Sequence, residues 1–99
     1  MKKPDIMVVC MFGLGSSTLL KLTLEKVLKA EGLEAKVFCA DESTARGYKY
    51  DMVFTSNGLA KLFKDIEKPV VIISNFLSQE EIREKGLALV RSVIEAKAK

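Results

Sequence analysis

A cysteine stands directly before a glycine- and hydroxyl-rich loop in the segment VVCMFGLGSST, residues 8–18. Backbone N–H groups at the start of a helix have no partner within the helix, and with the helix dipole they favour a bound anion. Residues 11–17 can supply such groups, because Gly13 and Gly15 let the backbone approach a ligand closely. The same field favours thiolate over thiol, so we expect Cys10 to have a lowered thiol pKa and to act as a nucleophile.

Familiar anion-binding and cysteine motifs match this loop only in part. A Walker A loop needs a lysine before its serine or threonine, and no lysine precedes Ser16 or Ser17. The dinucleotide fingerprint G-x-G-x-x-G has Thr18 in its last place, and a C-x5-R phosphatase loop would need arginine at position 16. The chain also contains no histidine to activate water. The loop therefore suits a covalent phosphocysteine whose phosphoryl group passes to another acceptor.

Structural interpretations of the same residues stay open. Cys10 would then be a small buried residue at a strand end, and the hydroxyl residues would cap the following helix. The chain would be a non-enzymatic anion-binding, nucleotide-binding or response-type module on the same fold. A response-type receiver would need acidic residues at the carboxyl ends of strands 1 and 3, whereas Asp5 and Asp51 begin their strands. We expect Cys39 to be a half-buried structural cysteine.

Alternating strands and helices must position the loop. Apolar or alternating runs predict strands over 5–10, 33–38, 51–56 and 69–74. A helix is predicted over 17–32, and its buried face comprises Leu20, Leu24, Val27 and Leu28. A short helix is expected near 41–46. A further helix after Asn57 has the apolar positions Leu59, Leu62, Phe63 and Ile66. Thr55, Ser56 and Asn57 end the third strand, next to the Cys10 loop in the order favoured below, but we expect them to cap this helix.

The last helix has the clearest predicted start. Ser78 and Glu81 match an S-x-x-E capping box, and Leu77 and Ile82 occupy the positions of a hydrophobic staple. Gly86 lies on the predicted buried face, which suggests a close approach to the sheet. That face comprises Ile82, Gly86, Leu89, Val90, Val93 and Ile94.

Strands separated by helices predict an α/β fold with a four-stranded parallel sheet. The edge-like second strand favours the order 2-1-3-4, with helices on both faces in a three-layer, flavodoxin-like topology. The alternative order 1-2-3-4 would leave Cys10 at an edge. In the favoured order, Cys10 lies at the topological switch point, where ligands bind in such sheets. We expect residues 1–99 to form a single domain.

Composition narrows the functional classes. The formal charge is only +3 and basic residues alternate with acidic ones, so we expect no nucleic-acid partner. No signal peptide or membrane-length apolar run is present, and the two cysteines form no metal-ligand pattern. We therefore expect a cytoplasmic protein that is not inserted in the membrane and has no metal or cofactor.

The segment VVCMFGLGSSTLLK resembles the active-site loop of enzyme IIB components of the bacterial sugar phosphotransferase system, and the resemblance extends from about Asp5 to Ile94. It is most similar to the ascorbate and galactitol group, and NFLS, residues 75–78, is similar to the ascorbate-type members. The family often has glycine after the cysteine, whereas this chain has Met11.

The resemblance implies a phosphoryl carrier of the phosphoenolpyruvate-dependent system. Cys10 would be the catalytic residue, accepting a phosphoryl group from a phosphohistidine of enzyme IIA. It would pass the group to a sugar, ascorbate-like by this resemblance, taken up through the membrane enzyme IIC. The phosphate-binding residues implied are Met11, Phe12, Gly13, Leu14, Gly15, Ser16 and Ser17. We also expect Met11, Phe12 and Leu14 to contact the partner proteins.

Overall fold

A computed structural model describes residues 3–9, 14–40, 47–56, 59, 61, 63 and 68–98. Four strands form one parallel sheet: β1 (Asp5–Val9), β2 (Lys36–Ala40), β3 (Met52–Thr55) and β4 (Val70–Ile72). The helices are α1 (Leu14–Ala30), α2 (Gln79–Ile82) and α3 (Ala88–Ala98), and a π-helical segment, Arg83–Leu87, joins the last two. The short helix expected near 41–46 lies outside the described residues.

The sheet has the order β2-β1-β3-β4, which confirms the prediction and rules out the alternative 1-2-3-4. β1 is central because nearly all of its side chains are apolar and fully buried, so that strands and helices can cover it on every side. Val9 is in register with Ala40 on one side and Thr55 on the other. The carboxyl ends of these three strands are therefore level.

Two predicted boundaries around α1 were wrong. The helix begins at Leu14 rather than Ser17, and β2 begins at Lys36 rather than Leu33. The helix does end as predicted near Gly32, which has a φ of 68° and donates its N–H to the Lys29 carbonyl. The Leu33 N–H bonds to the Leu28 carbonyl at 2.9 Å, and this Schellman ending uses Leu33, the first residue of the predicted strand.

Two apolar clusters cover the two faces of the sheet. On one face, the predicted helical stripe of α1 is buried against β1 and β3, in a cluster that includes Leu20, Leu24, Val27, Leu28, Ile6, Val8 and Phe54. On the other face, Met7, Val9 and Val53 pack with Leu59 and Phe63. Leu59, Lys61 and Phe63 have a 3-10 helical conformation. Asn57, Leu62 and Ile66 of the helix predicted there lie outside the described residues.

The last helix contacts the sheet as closely as Gly86 suggested. A Cβ built on Gly86 would lie 2.7 Å from both Cε2 and Cζ of Phe54. Ile82 and Val90 are buried as predicted, and Val93 and Ile94 are partly buried, but Leu89 is 37% exposed. The π-helical segment takes about one residue more per turn than an α-helix, so it rotates Leu89 away from the sheet and centres Val90 on it.

The last helix begins with only one of the two hydrogen bonds of a capping box. Ser78 Oγ accepts the Glu81 N–H at 3.1 Å, as predicted. The Glu81 carboxylate does not return to Ser78, however, because the Asn75 carbonyl already accepts the Ser78 N–H at 3.1 Å. The predicted staple is wrong as well, since Leu77 is 67% exposed while Ile82 is buried.

Candidate functional site

The strand and the helix that flank the predicted active-site loop are both described. β1 ends at Val9 and α1 begins at Leu14, so residues 10–13 connect them. Cys10, Met11, Phe12 and Gly13 lie outside the described residues. The remaining predicted phosphate-binding residues, 14–17, form the first turn of α1. The N–H groups of a first helical turn lack intrahelical acceptors, which suits them to an anion.

The loop starts at the topological switch point of the sheet. The chain leaves β1 towards β2 on one side and later returns to β3 on the other side. In open parallel sheets, the crevice for ligands lies beyond the carboxyl ends of the strands at such a reversal. β1, the strand directly before the predicted loop, therefore ends at this edge of the sheet.

Thr55 fixes the end of β1. Its hydroxyl donates a 2.7 Å hydrogen bond to the Val9 carbonyl, which belongs to the peptide group directly before Cys10. Thr55 is fully buried, and its own carbonyl accepts the Ile73 N–H at 2.8 Å. The prediction that Thr55 caps the next helix was wrong, because the parallel register places its side chain beside β1 instead.

The hydroxyl of the next residue, Ser56, differs from that of Thr55 in its hydrogen bonding. Its oxygen is buried and has no hydrogen-bond partner within the described part of the chain. The Ser56 carbonyl does accept the Leu59 N–H at 3.0 Å, which begins the turn after β3. Sequence reasoning treated Ser56 as a helix cap, and Asn57 lies outside the described residues. A buried hydroxyl without a partner is uncommon and requires an explanation.

Glu81 holds the segment that follows β4. Its carboxylate accepts the backbone N–H groups of Ser74 and Asn75, at 2.6 and 2.8 Å, and the Lys85 ammonium lies at 2.5 Å. Partial burial raises the pKa of Glu81, but these three hydrogen bonds outweigh burial and lower the pKa from 4.5 to about 2. Asn75 Oδ1 also accepts the Leu77 N–H at 3.0 Å, so Leu77 is exposed on a well-bonded turn.

Several apolar side chains are exposed on α1 and after β4. Leu19 and Leu22 are 48% and 50% exposed, although sequence reasoning singled out neither. The signal that could have found them is their position outside the buried stripe of α1. The side chains of Met11, Phe12 and Leu14, predicted to contact partners, are not among those described.

Cys39 lies in β2 in register with Val8 and is a half-buried free thiol, as expected. Among the described residues, no group of three cysteine, aspartate or glutamate side chains could hold a metal ion. No helix in the described part of the chain is both long and apolar enough to span a bilayer.

Known proteins share this fold and sequence pattern. A family model described as "PTS system, Lactose/Cellobiose specific IIB subunit" matches residues 5–86. The "Ascorbate-specific PTS system EIIB component" of Mycoplasma pneumoniae is 28% identical over 86 residues, which cover 84% of this chain and 90% of that protein. The lactose-specific IIB domain of Streptococcus pneumoniae superposes with a TM-score of 0.60 over 95% of this chain and 97% of that one, at 12% identity.

The family match defines the class of protein: the chain belongs to the lactose/cellobiose-type IIB subunits of the phosphotransferase system. It is therefore a sugar phosphotransferase component, as the resemblance in the loop implied. The structural match supports the same four-stranded fold.

Proposed function

We propose that this protein is the cytoplasmic phosphoryl carrier of an ascorbate-type phosphotransferase system, with Cys10 as the carrier residue. The observation that supports this most directly is the topology. β1 lies between β2 and β3, ends level with both, and is followed within four residues by the start of α1. Cys10 is the first residue after β1 and thus precedes the helix start that favours an anion.

The proposed reaction is two successive displacements at phosphorus. The Cys10 thiolate attacks the phosphohistidine of enzyme IIA, an S–P bond forms, and the P–N bond breaks with the electron pair left on the histidine nitrogen. A sugar hydroxyl bound by the membrane enzyme IIC then attacks the same phosphorus, and the thiolate leaves. The hydroxyl proton passes to a base on the partner or to solvent, since this chain has no histidine.

Residues 11–17 would bind the phosphoryl group through backbone N–H groups, supported by the hydroxyls of Ser16 and Ser17. Phosphorylation adds close to two negative charges at neutral pH. The first turn of α1, which begins at Leu14, offers N–H groups for that charge. The described residues 14–17 therefore support the helix-terminal part of the predicted binding loop.

We propose ascorbate as the sugar because the similar Mycoplasma pneumoniae protein, 90% of which is covered by the match, is described as ascorbate-specific. The family model instead carries a lactose and cellobiose description, so these sugars are the appropriate competitors. Phosphorylated protein would be mixed with membranes that contain the partner IIC, with either ascorbate or cellobiose present. We expect phosphoryl loss with ascorbate alone, and loss with cellobiose alone would overturn the substrate assignment.

The carrier residue is tested by mass spectrometry after incubation with phosphorylated enzyme IIA. We expect Cys10→Ser to abolish phosphoryl uptake, because a serine hydroxyl is far less acidic than a thiol. Cys39→Ser is the matched control, since it removes a half-buried thiol in β2, and uptake should be nearly unchanged. Normal uptake by Cys10→Ser, or loss of uptake in folded Cys39→Ser, would show that Cys10 is not the carrier.

A further inference from the structure

From the buried Ser56 hydroxyl we infer a further phosphate-contacting residue of the same site: Ser56 donates a hydrogen bond to the phosphoryl group carried on Cys10. The inference rests on the proposed function, because it needs a phosphoryl group on that cysteine. It assigns a role in the site to the residue after β3, which the sequence placed next to the Cys10 loop but favoured as a helix cap.

The register of the sheet pairs the residues that directly precede Cys10 and Ser56. Val9 of β1 is paired with Thr55 of β3, and Cys10 and Ser56 are the next residues in the sequence. Neighbouring strands lie about 4.8 Å apart, and successive Cα atoms about 3.8 Å apart. These spacings make a hydrogen bond geometrically possible between the Ser56 hydroxyl and a phosphoryl group on the residue that follows Val9, which is what the inference requires.

The hydroxyls of Thr55, which ends β3, and of Ser56, which follows it, differ in their hydrogen bonding. The Thr55 hydroxyl donates to the Val9 carbonyl at 2.7 Å. The Ser56 hydroxyl oxygen is equally shielded from solvent but has no partner in the described part of the chain. A buried hydroxyl without a partner lowers stability, and it would be satisfied in a state of the protein that supplies an acceptor.

The phosphorylated state supplies such a partner. A phosphoryl group has three acceptor oxygens and close to two negative charges at neutral pH. A hydroxyl that donates to a charged acceptor makes one of the stronger hydrogen bonds available to a neutral side chain. The same donor stabilises the charge on the equatorial oxygens during transfer, when the group passes from the IIA nitrogen to the Cys10 sulfur.

Ser56→Ala tests the inference through two readouts with opposite expected signs. In the unphosphorylated protein the substitution should leave urea-induced unfolding unchanged or make the fold slightly more stable, because it removes an unsatisfied polar atom. In a single-turnover reaction with saturating phosphorylated IIA, uptake on Cys10 should slow by about 10- to 100-fold. Ser56→Thr, which keeps the hydroxyl, should recover part of the rate.

Ser92→Ala is the matched control, because Ser92 is an exposed serine on α3 beside Asp51 and Pro69, at the amino end of the strands. It should change neither readout. Uptake at the wild-type rate by Ser56→Ala would overturn the inference, and so would a clear loss of stability before phosphorylation, which would reveal a structural partner. Either result leaves the proposed function intact. If the wild-type protein gained no phosphate on Cys10 from phosphorylated IIA, both the inference and the proposed function would be overturned.

Discussion

The amino and carboxyl edges of the sheet differ in how their polar groups are satisfied. At the amino edge, the Asp5 N–H donates to Asp51 Oδ2 at 2.6 Å, and the Asp51 N–H donates to the Asp5 carbonyl at 2.7 Å. Lys97 then pairs with the same Asp51 oxygen at 3.1 Å. At the carboxyl edge, by contrast, the buried Ser56 hydroxyl has no partner within the described residues.

In the proposed function, the carboxyl edge binds the phosphoryl group, whereas the bonds at the amino edge contribute to stability. Reciprocal bonds between the strand starts fix the pairing of β1 and β3. An unsatisfied donor beside a switch point lowers stability but is available to a charged group. The acidic pair also lies at the wrong edge for a response-type receiver, which needs its carboxylates at the carboxyl ends of the strands.

The largest change in stability should come from the interior between the two edges. Gly86→Ala puts a methyl group against the fully buried Phe54 ring, and crowding of this kind costs up to about 3 kcal/mol. Better helix propensity offsets about 1 kcal/mol, so we expect a net loss of about 2 kcal/mol in urea unfolding.

Gly47→Ala provides the control for Gly86→Ala, since a Cβ there would meet no atom within 4 Å. Its unfolding free energy should stay within about 0.5 kcal/mol of wild type. If the two substitutions had equal effects, the close approach of the last helix to Phe54 would not be a determinant of stability.

The next largest effect is expected at the amino edge. Asp51→Ala removes the acceptor of the Asp5 N–H and should lower the unfolding free energy by about 1–2 kcal/mol. Asp51→Asn keeps an oxygen acceptor and loses mainly the ion pair with Lys97, so it should cost less than about 1 kcal/mol. Phosphoryl uptake by the folded fraction should be normal in both, and slowed uptake would contradict the division between the edges.

The smallest effect should come from Glu81, a satisfied carboxylate at the carboxyl edge. Glu81→Gln weakens the bonds to Ser74 and Asn75 and should cost about 1 kcal/mol at pH 7. Because the folded pKa of about 2 lies below the ordinary 4.5, the carboxylate stabilises the fold above pH 4.5. This contribution is lost as the pH falls from about 4.5 towards 2.

Unfolding measured at several pH values tests this assignment. The difference between wild type and Glu81→Gln should shrink progressively below pH 4.5. Glu80→Gln is the matched control, because Glu80 is an exposed carboxylate in the same helical turn. An equal loss in both variants, or a Glu81 effect that persists at pH 2, would show that the ionised carboxylate does not hold the turn after β4.

The sequence by itself determined the strand order, the stripe of α1 and the close approach at Gly86. Continuous apolar runs mark buried strands, helical spacing marks a buried face, and both signals depend only on residue type and separation. The same local pattern indicated a thiol before an anion-binding helix start. Each of these features is signalled by residue types and spacings within one segment, even where the contact itself joins distant segments, as it does for Gly86 and Phe54.

Only the tertiary structure decided how the polar groups are paired. Glu81 matched a capping box in sequence, but the Asn75 carbonyl had already satisfied the Ser78 N–H, so its carboxylate binds Ser74 and Asn75 instead. Leu89 is exposed rather than buried because the π-helical segment before it changes the number of residues per turn. Thr55 bonds to Val9, a residue 46 positions away in the sequence, while Ser56 beside it has no such acceptor among the residues that the structure describes. These outcomes depend on which distant backbone groups the fold brings near, and the spacing of residues along one segment carries no information about that.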